Sequence, residues 1–146
     1  MSLKAPSHAI FALWTGLIRA NADLQARIET ALQAKGLPPL AWYDALWEIE
    51  KAGTEGIRPF ALQDRLLLPQ YGLSRLIERL VKAGYVERRA CAGDGRGQML
   101  HLTGEGARVR AAMWPVYETT LTGAVEARLS AAETVDLARL MQRLLG

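Results

Sequence analysis

The chain has 146 residues, half of them hydrophobic, and a formal net charge of +3. This length and hydrophobic share predict a single domain, residues 1–146, with a sizeable core. No run of about 18 apolar residues occurs, which excludes a membrane-spanning helix, and the N-terminus lacks the apolar region of a secretory signal. The single cysteine cannot form an internal disulfide, so we expect a cytoplasmic protein.

The first predicted element is a long helix from Pro6 to about Lys35, with Ser7 as its N-cap. Apolar residues recur along it at three- and four-residue spacing and form one stripe: Ile10, Trp14, Leu17, Leu24, Ile28 and Leu32. Gly36 and the prolines after it end the helix. Since helices in globular proteins average about 10–14 residues, a helix this long is expected to need a partner surface.

Three shorter helices follow along the chain. The first of them covers Leu40–Ala52, the next runs from Pro59 to about Leu67, and the third begins at Pro69 and ends near Gly84. Pro59 and Pro69 each suit a first helical turn, because an N–H at that position would have no partner in the helix. The third helix has one apolar side, made by Leu73, Leu76, Ile77 and Leu80.

Two predicted strands, Tyr85–Ala90 and Gln98–Leu102, alternate apolar and polar residues at period two. This alternation places His101 at a surface position. The glycine-rich loop Cys91–Gly97 connects the strands. A helix, a turn, a second helix and a hairpin are the outline of a winged helix-turn-helix.

Positive charge is concentrated in this part of the chain. Between Arg58 and Arg96 there are eight Lys and Arg against four Asp and Glu, a balance of +4, and the rest of the chain carries −1. Clustered positive charge is typical of a surface that binds phosphates. Arginines at helical spacing are also common on the solvated face of an ordinary domain, but the hairpin beside them favours DNA.

The C-terminal part is predicted to be helical again. Thr103 is expected to cap a helix that reaches toward Leu129 and is kinked at Pro115. Ser130 and Glu133 have the spacing of a capping box and begin the last helix. Its apolar face runs almost to the end of the chain: Val135, Leu137, Leu140, Met141, Leu144 and Leu145. We predict that this face and the stripe of the first helix form a dimer interface.

Six short motifs stand in order between Asp64 and Gly106: Asp64-Arg-Leu66, Ser74-Arg-Leu76, Glu78-Arg-Leu80, Gly84-Tyr-Val-Glu-Arg88, Asp94-x-Arg96 and Leu102-Thr-x-x-Gly106. In these motifs the chain resembles the multiple antibiotic resistance regulator (MarR) family of bacterial transcription factors. The resemblance implies a homodimer, usually a repressor, that binds a pseudopalindromic operator and responds to a small molecule. It divides the chain into dimerisation helices, 1–35 and 103–146, and a winged helix-turn-helix lobe, 36–102. The predicted fold is thus mainly α with a small β-hairpin wing.

The DNA-binding residues are predicted on three elements. Four lie at the exposed front of the second helix of the helix-turn-helix and are expected to enter the major groove: Gln70, Tyr71, Ser74 and Arg75. Arg79 lies on the same helix, and Arg88 and Arg89 on the first strand are candidate phosphate contacts. Arg96 is expected to reach the minor groove, with Asp94 orienting it. Glycines beside Arg96 make the wing tip looser and less basic than is usual in the family.

Aromatic residues predict a ligand site. Six side chains on three helices are expected to face one crevice between the dimerising helices and the DNA-binding lobe: Trp14, Trp42, Tyr43, Met113, Trp114 and Tyr117. Aromatic walls with a few polar donors suit a small phenol or aromatic acid, a ligand class that the family resemblance also implies. The alternative is that these residues fill a dry core.

Little in the sequence indicates catalysis. The two histidines, His8 and His101, lie in different predicted elements, and no metal-binding or phosphate-cradling motif occurs, so no enzyme, cofactor or metal is expected. Cys91 is interpreted by default as a spare residue of the wing, with a redox-sensing role as the alternative. A winged-helix protein-interaction module without sequence-specific DNA binding is the alternative function, and DNA binding by the +4 segment would distinguish the two. A detached dimerisation domain of a methyltransferase is disfavoured because no residues remain for a cofactor-binding domain.

Overall fold

The structure, a computed structural model, describes residues 4–90 and 97–146, with side chains from residue 7 onward. The elements in chain order are α1 (Lys4–Ala34), α2 (Leu40–Ala52), a short 3₁₀ helix (Gly53–Glu55), α3 (Pro59–Arg65), α4 (Leu73–Lys82), β1 (Val86–Ala90), β2 (Gln98–Leu102), α5 (Gly104–Glu126) and α6 (Ala131–Leu145). The predicted fold class, mainly helical with a two-stranded wing, is confirmed.

The chain forms two compact units. One contains residues Met1–Ala31 and Tyr117–Gly146, and the other is continuous from Leu32 to Val116. The second unit extends beyond the predicted lobe, 36–102, because it takes in the last turn of α1 and the first half of α5. The roles assigned to these segments stay predictions.

The core of the Leu32–Val116 unit lies beneath α4. Leu76, Ile77 and Leu80 are buried on one side of this helix. They pack with side chains from α2, α3 and the hairpin: Ala45, Leu46, Ile49, Ile57, Leu62, Val86 and Leu100. Full burial stabilises each large aliphatic side chain by about 1.5–3 kcal/mol, so this cluster fixes which face of α4 remains outside.

The hairpin is joined to the segment before α3. The strands β1 and β2 are antiparallel, with Val86 opposite Leu102 and Ala90 opposite Gln98. On the other edge of β2, Leu100 and Ile57 exchange both backbone hydrogen bonds, at 2.8 and 3.1 Å. The base of the wing is therefore held on two sides.

His101 is not on the surface, so that prediction is wrong. Its side chain is only 8% exposed, and its Nε2 lies 3.1 Å from the carbonyl oxygen of Thr54. The segment through Thr54 and Gly56 covers the face of β2 that the two-strand alternation left open. Gly56 has φ 74°, and a Cβ there would lie 2.6 Å from the imidazole ring, so the close approach requires glycine.

The second helix of the helix-turn-helix begins later than predicted, at Leu73 rather than Pro69. The physical reason lies in α2, where the Asp44 carboxylate accepts the backbone N–H groups of Leu67 and Leu68, at 3.1 and 2.7 Å. These bonds hold the chain in an irregular turn, and α3 ends at Arg65 instead of Leu67. Gly72 is then the N-cap of α4.

Of the remaining predicted helix ends, several are confirmed and the N-cap at Ser7 is wrong. Gly36 follows α1 with φ 68°. Ser130 and Glu133 form the expected capping box, in which the Ser130 backbone N–H lowers the pKa of the Glu133 carboxyl. Thr103 caps α5 by accepting the Gly106 N–H at 3.0 Å. Ser7 is not an N-cap, because α1 already begins at Lys4 and contains it. The helical pattern continues through Ser7, so the polar residue alone does not set the start.

The hairpin and α5 meet at Gly106. A Cβ at this residue would lie 2.1 Å from the carbonyl oxygen of Tyr85 and 2.8 Å from Leu102. The same carbonyl accepts the Thr103 N–H at 3.1 Å, and the Thr103 hydroxyl donates to the Gly84 carbonyl. Backbone thus contacts backbone here, and a side chain cannot be accommodated without movement.

We therefore expect Gly106→Ala to destabilise the protein by about 1–3 kcal/mol, the usual cost of overpacking. Gly123→Ala, in the same helix, is the matched control, because a Cβ at Gly123 meets nothing within 4 Å. This control should stabilise the helix by roughly 0.5–1 kcal/mol, since alanine restricts the unfolded chain more than glycine does. Urea unfolding followed by circular dichroism measures both, and equal effects of the two variants would contradict the contact.

Candidate nucleic-acid interface

The exposed face of α4 carries the main candidate surface. Because Leu76, Ile77 and Leu80 point into the core, Ser74, Arg75 and Arg79 remain exposed on the same helix. α4 ends with Gly84 at φ 83°, and the Tyr85 N–H donates to the Leu80 carbonyl at 3.0 Å. The resulting element is a short amphipathic helix with cations on its outer side.

Gln70 and Tyr71 do not lie on α4, so their predicted placement on the helix front is corrected. They occupy the turn between α3 and α4, where Gln70 is half-buried and Tyr71 is fully exposed. The turn immediately precedes Ser74 and Arg75, so all four candidate residues still follow one another at one end of α4.

Arg88 and Arg89 are both exposed on β1, on opposite faces of the hairpin. Arg89 forms an ion pair with Glu87, its neighbour on the same face. Exposed pairs of this kind are weak, so a phosphate can compete for the guanidinium. Asp94, Arg96 and Cys91, which were assigned to the wing loop, lie outside the described residues.

Sequence reasoning missed Asp44. Its carboxylate joins α2 to the turn before α4 across 23 and 24 residues. An aspartate in an amphipathic helix gives no local signal of such a contact, which appears only when the turn folds back on α2.

Two of the predicted ligand residues stack on each other. Tyr43 of α2 and Trp114 of α5 have nearly parallel rings, 20° apart, with centroids 5.9 Å apart. Burial raises the pKa of the Tyr43 phenol, and a hydrogen bond with Arg110 opposes that rise. The hydroxyl therefore stays protonated at neutral pH and is a potential hydrogen-bond donor.

Arg110 lies at the centre of this contact between α2 and α5. It donates a hydrogen bond from Nε to Glu50 Oε1 at 3.1 Å and forms an ion pair with Oε2 at 2.9 Å. Its guanidinium lies 4.8 Å from the centre of the Trp47 ring. Arg110 and Glu50 are largely shielded from water. Such a bidentate, partly buried pair holds its partners in a defined geometry.

The other four predicted ligand residues do not take part in the Tyr43–Trp114 stack. Trp42 packs edge-on against Tyr85, with ring centroids 6.0 Å apart, beside the core. Met113 is fully buried, Trp14 is 59% exposed on α1, and Tyr117 is half-buried at the start of the other unit's part of α5. The assignment of a ligand site to these residues stays a prediction.

The Met1–Ala31 and Tyr117–Gly146 unit leaves much apolar surface uncovered in the single chain. Large hydrophobic side chains that are at least two-fifths exposed lie on α1 and α6: Ile10, Phe11, Leu13, Trp14, Ile18, Val135, Leu137, Leu140, Leu144 and Leu145. A groove of about 510 Å³ between α1, α5 and α6 is lined by further apolar residues, among them Leu24, Val125 and Met141. Exposed apolar patches of this kind mark interaction surfaces.

Neither a membrane-spanning helix nor a metal-binding cluster occurs in the described part of the chain. Within residues 4–90 and 97–146, no helix combines the length and apolarity needed to cross a bilayer. The same residues contain no cluster of three or more His, Cys, Asp or Glu side chains suited to a metal ion.

Comparison with solved structures reveals close similarity of fold. MarR of E. coli, as a cysteine-to-serine mutant complexed with operator DNA, is 25% identical, with 94% of this chain and 96% of that chain covered and a TM-score of 0.82. Sco3205, a MarR family regulator from Streptomyces coelicolor in complex with DNA, is 26% identical, with coverage of 99% and 89% and a TM-score of 0.81. An organohalide-sensing regulator bound to 2,4-dichlorophenol is 15% identical, with coverage of 93% and 79% and a TM-score of 0.79, and shares the fold.

Sequence comparison gives a family match for part of the chain. No curated protein sequence matches the chain. The model of the MarR family matches residues 35–97, which contain α2, the helix-turn-helix and the first strand of the wing. The element order, the exposed face of α4 and two DNA-complexed relatives of the same fold agree with this match. Over residues 35–97 the chain therefore matches the MarR family of transcription regulators, and it shares the fold of the MarR structures named above.

Proposed function

We propose that this protein is a homodimeric transcriptional repressor in the cytoplasm. It binds a pseudopalindromic operator and is released from DNA by a small aromatic ligand. The observation that carries DNA binding is the orientation of α4, whose apolar side is buried while Ser74, Arg75 and Arg79 are exposed. Two relatives of the same fold are complexed with DNA, one of them with operator DNA.

The chemistry of α4 suits the major groove. Arginine can donate two hydrogen bonds to a guanine edge, and serine can serve a base or a phosphate. The buried Leu76, Ile77 and Leu80 fix the rotation of the helix, so Arg75 and Arg79 stay on its solvent-exposed side, where DNA can reach them. Arg88, Arg89 and the wing arginine Arg96 add phosphate or minor-groove contacts.

The dimer follows from the exposed apolar stripes. Five large hydrophobic side chains on α1 and five on α6 are exposed in the single chain. A second copy that covers them would remove these side chains from water, which favours association. Twofold symmetry would then set two α4 helices about one DNA turn, ~34 Å, apart and match an inverted repeat.

The ligand proposal rests on the Tyr43–Trp114 stack. Trp114 is 41% exposed, so a flat apolar molecule can reach its ring. The charge of Arg110 is already balanced by Glu50, so the proposal rests on the ring and not on this cation. One relative of the same fold is known in a dichlorophenol-bound form. A ligand releases DNA only if it binds the DNA-incompetent state more tightly than the competent one.

Selection of bound fragments from genomic DNA tests the proposed function directly. We expect the full chain to enrich one inverted repeat at moderate salt. Retention of all fragments alike, or of none, would contradict a sequence-specific regulator and favour a protein-interaction module.

Arg75→Ala should weaken binding to the selected operator by about 1–3 kcal/mol and relax base preference at one position of each half-site, because a bidentate base contact is lost. Arg108→Ala is the matched control. It removes the same charge from an exposed i,i+3 pair with Glu105 on α5. Fluorescence anisotropy with operator variants measures both proteins, and equal losses would place the effect in net charge instead of readout.

Leu140→Asp should give monomers, because the dimer would bury an unpaired carboxylate. Gln142→Asp adds the same charge two residues further along α6, about 200° around the helix, and should remain dimeric. Sedimentation velocity at micromolar concentration measures the association state. A monomeric wild-type protein would contradict the dimer.

Trp114→Leu should abolish binding of small phenols and aromatic acids and keep operator affinity, because it removes the accessible ring of the stack. Phe60→Leu, at an exposed aromatic residue of α3 that is 80% accessible, is the control for loss of an aromatic side chain. Calorimetry with a ligand panel and operator release by anisotropy are the measurements. Identical ligand affinities of Trp114→Leu and wild type would exclude the site.

A further inference from the structure

The turn between α3 and α4 has few restraints of its own. Residues 67–71 form no helix or strand, and Pro69 has no N–H to donate. The backbone N–H groups of Leu67 and Leu68 both donate to the Asp44 carboxylate. Both backbone hydrogen bonds that hold Leu67 and Leu68 therefore end on one carboxylate, in addition to the packing of Leu66 and Leu73 against the core.

Asp44 itself is held firmly in place. It lies in α2 between Tyr43, which is 7% exposed, and Ala45, which is fully buried, so the core fixes its backbone. Its two carboxylate oxygens are used separately, Oδ1 for Leu67 at 3.1 Å and Oδ2 for Leu68 at 2.7 Å. Hydrogen bonds to an ionised acceptor are roughly twice as strong as neutral ones. Asp44 thus acts as a two-point clamp on the turn.

We propose that Asp44 is a positioning residue for DNA recognition, which it serves by fixing the turn that carries Gln70 and Tyr71 and leads into α4. This inference rests on the proposed function. Tyr71 is fully exposed in the turn, and Ser74 and Arg75 follow in the first turn of α4. Recognition side chains must be held within about 0.5 Å of the productive geometry, and a loose turn would not hold them so closely.

The sign of the effect separates the clamp from simple electrostatics. Removal of the Asp44 carboxylate raises the net charge from +3 by one unit. A more positive protein binds the DNA backbone more tightly, so electrostatics alone would raise the affinity for every duplex. Loss of the clamp lowers operator affinity instead, because the base contacts are no longer held in register.

The test compares Asp44→Asn with Glu48→Gln in the full-length protein. Asp44→Asn presents an amide NH₂ to one of the two N–H donors, so at least one of the two bonds is lost. Glu48→Gln makes the same charge change one turn along α2, at a residue that pairs with Lys51 and not with the turn. Affinities are measured for the operator selected by the wild type and for an unrelated duplex of equal length. Amide hydrogen exchange at Leu67 and Leu68 reports on the clamp itself.

We expect Asp44→Asn to lose about tenfold in operator affinity, the equivalent of one charge-assisted hydrogen bond, and to keep or gain affinity for the unrelated duplex. Its Leu67 and Leu68 amides should exchange faster. Glu48→Gln should equal or slightly exceed wild type in operator affinity, because it makes the same charge change and leaves the two bonds intact. Asp44→Ala, which removes both acceptors, should lose more.

Three results would overturn the proposal. The first is operator affinity of Asp44→Asn within twofold of wild type, the second is an equal loss for both duplexes, and the third is loss of its helical circular dichroism signal, which would make Asp44 merely structural. Each leaves the proposed function intact, because wild type still selects an operator. A wild type without sequence preference refutes the proposed function first, and the positioning role falls with it.

Discussion

The burial of one side of α4 is the constraint on which the candidate DNA surface depends. Leu76, Ile77 and Leu80 enter a core shared with α2, α3 and the hairpin. A helix of ten residues is too short to be stable alone in water, so this packing both forms the helix and sets its rotation. Arg75 and Arg79, on the other side of the helix, therefore remain exposed to solvent. The stability of the core and the exposure of the candidate DNA-binding arginines are thus consequences of the same contacts.

The sequence predicted the elements better than their ends. The apolar periodicity of α4 and the alternation of the strands are local signals, and both are confirmed. The start of α4 was wrong because Pro69 is a local helix-start signal, while Asp44, more than twenty residues away, holds that part of the chain as a turn. The surface position predicted for His101 was wrong for the same reason, a contact with a distant segment of the chain. Alternation describes two strands and contains no information on the segment through Thr54 that covers them.

The candidate sites show the same limit. Ser74, Arg75 and Arg79 could be predicted because a helical wheel separates them from Leu76 and Leu80. The stacking of Tyr43 on Trp114 could not be predicted, because no local sequence pattern indicates which aromatic rings on different helices are in contact. Arg110, which contacts Tyr43, Glu50 and Trp47, was also missed, because arginine in a long amphipathic helix resembles any solvated charge. Contacts between side chains from distant segments require the tertiary structure.

The joint at the foot of the wing has a consequence for protein engineering. The Thr103 hydroxyl donates to the Gly84 carbonyl and accepts the Gly106 N–H, which caps α5. Gly106 in turn packs directly against the Tyr85 carbonyl. Two motifs that lie about twenty residues apart in the sequence, Gly84-Tyr-Val and Leu102-Thr-x-x-Gly106, are therefore two halves of one closure. A chimera that grafts the wing of one family member onto another should cut outside both halves and move 84–106 as a single cassette. A cut between the halves would pair a capping threonine with a foreign carbonyl.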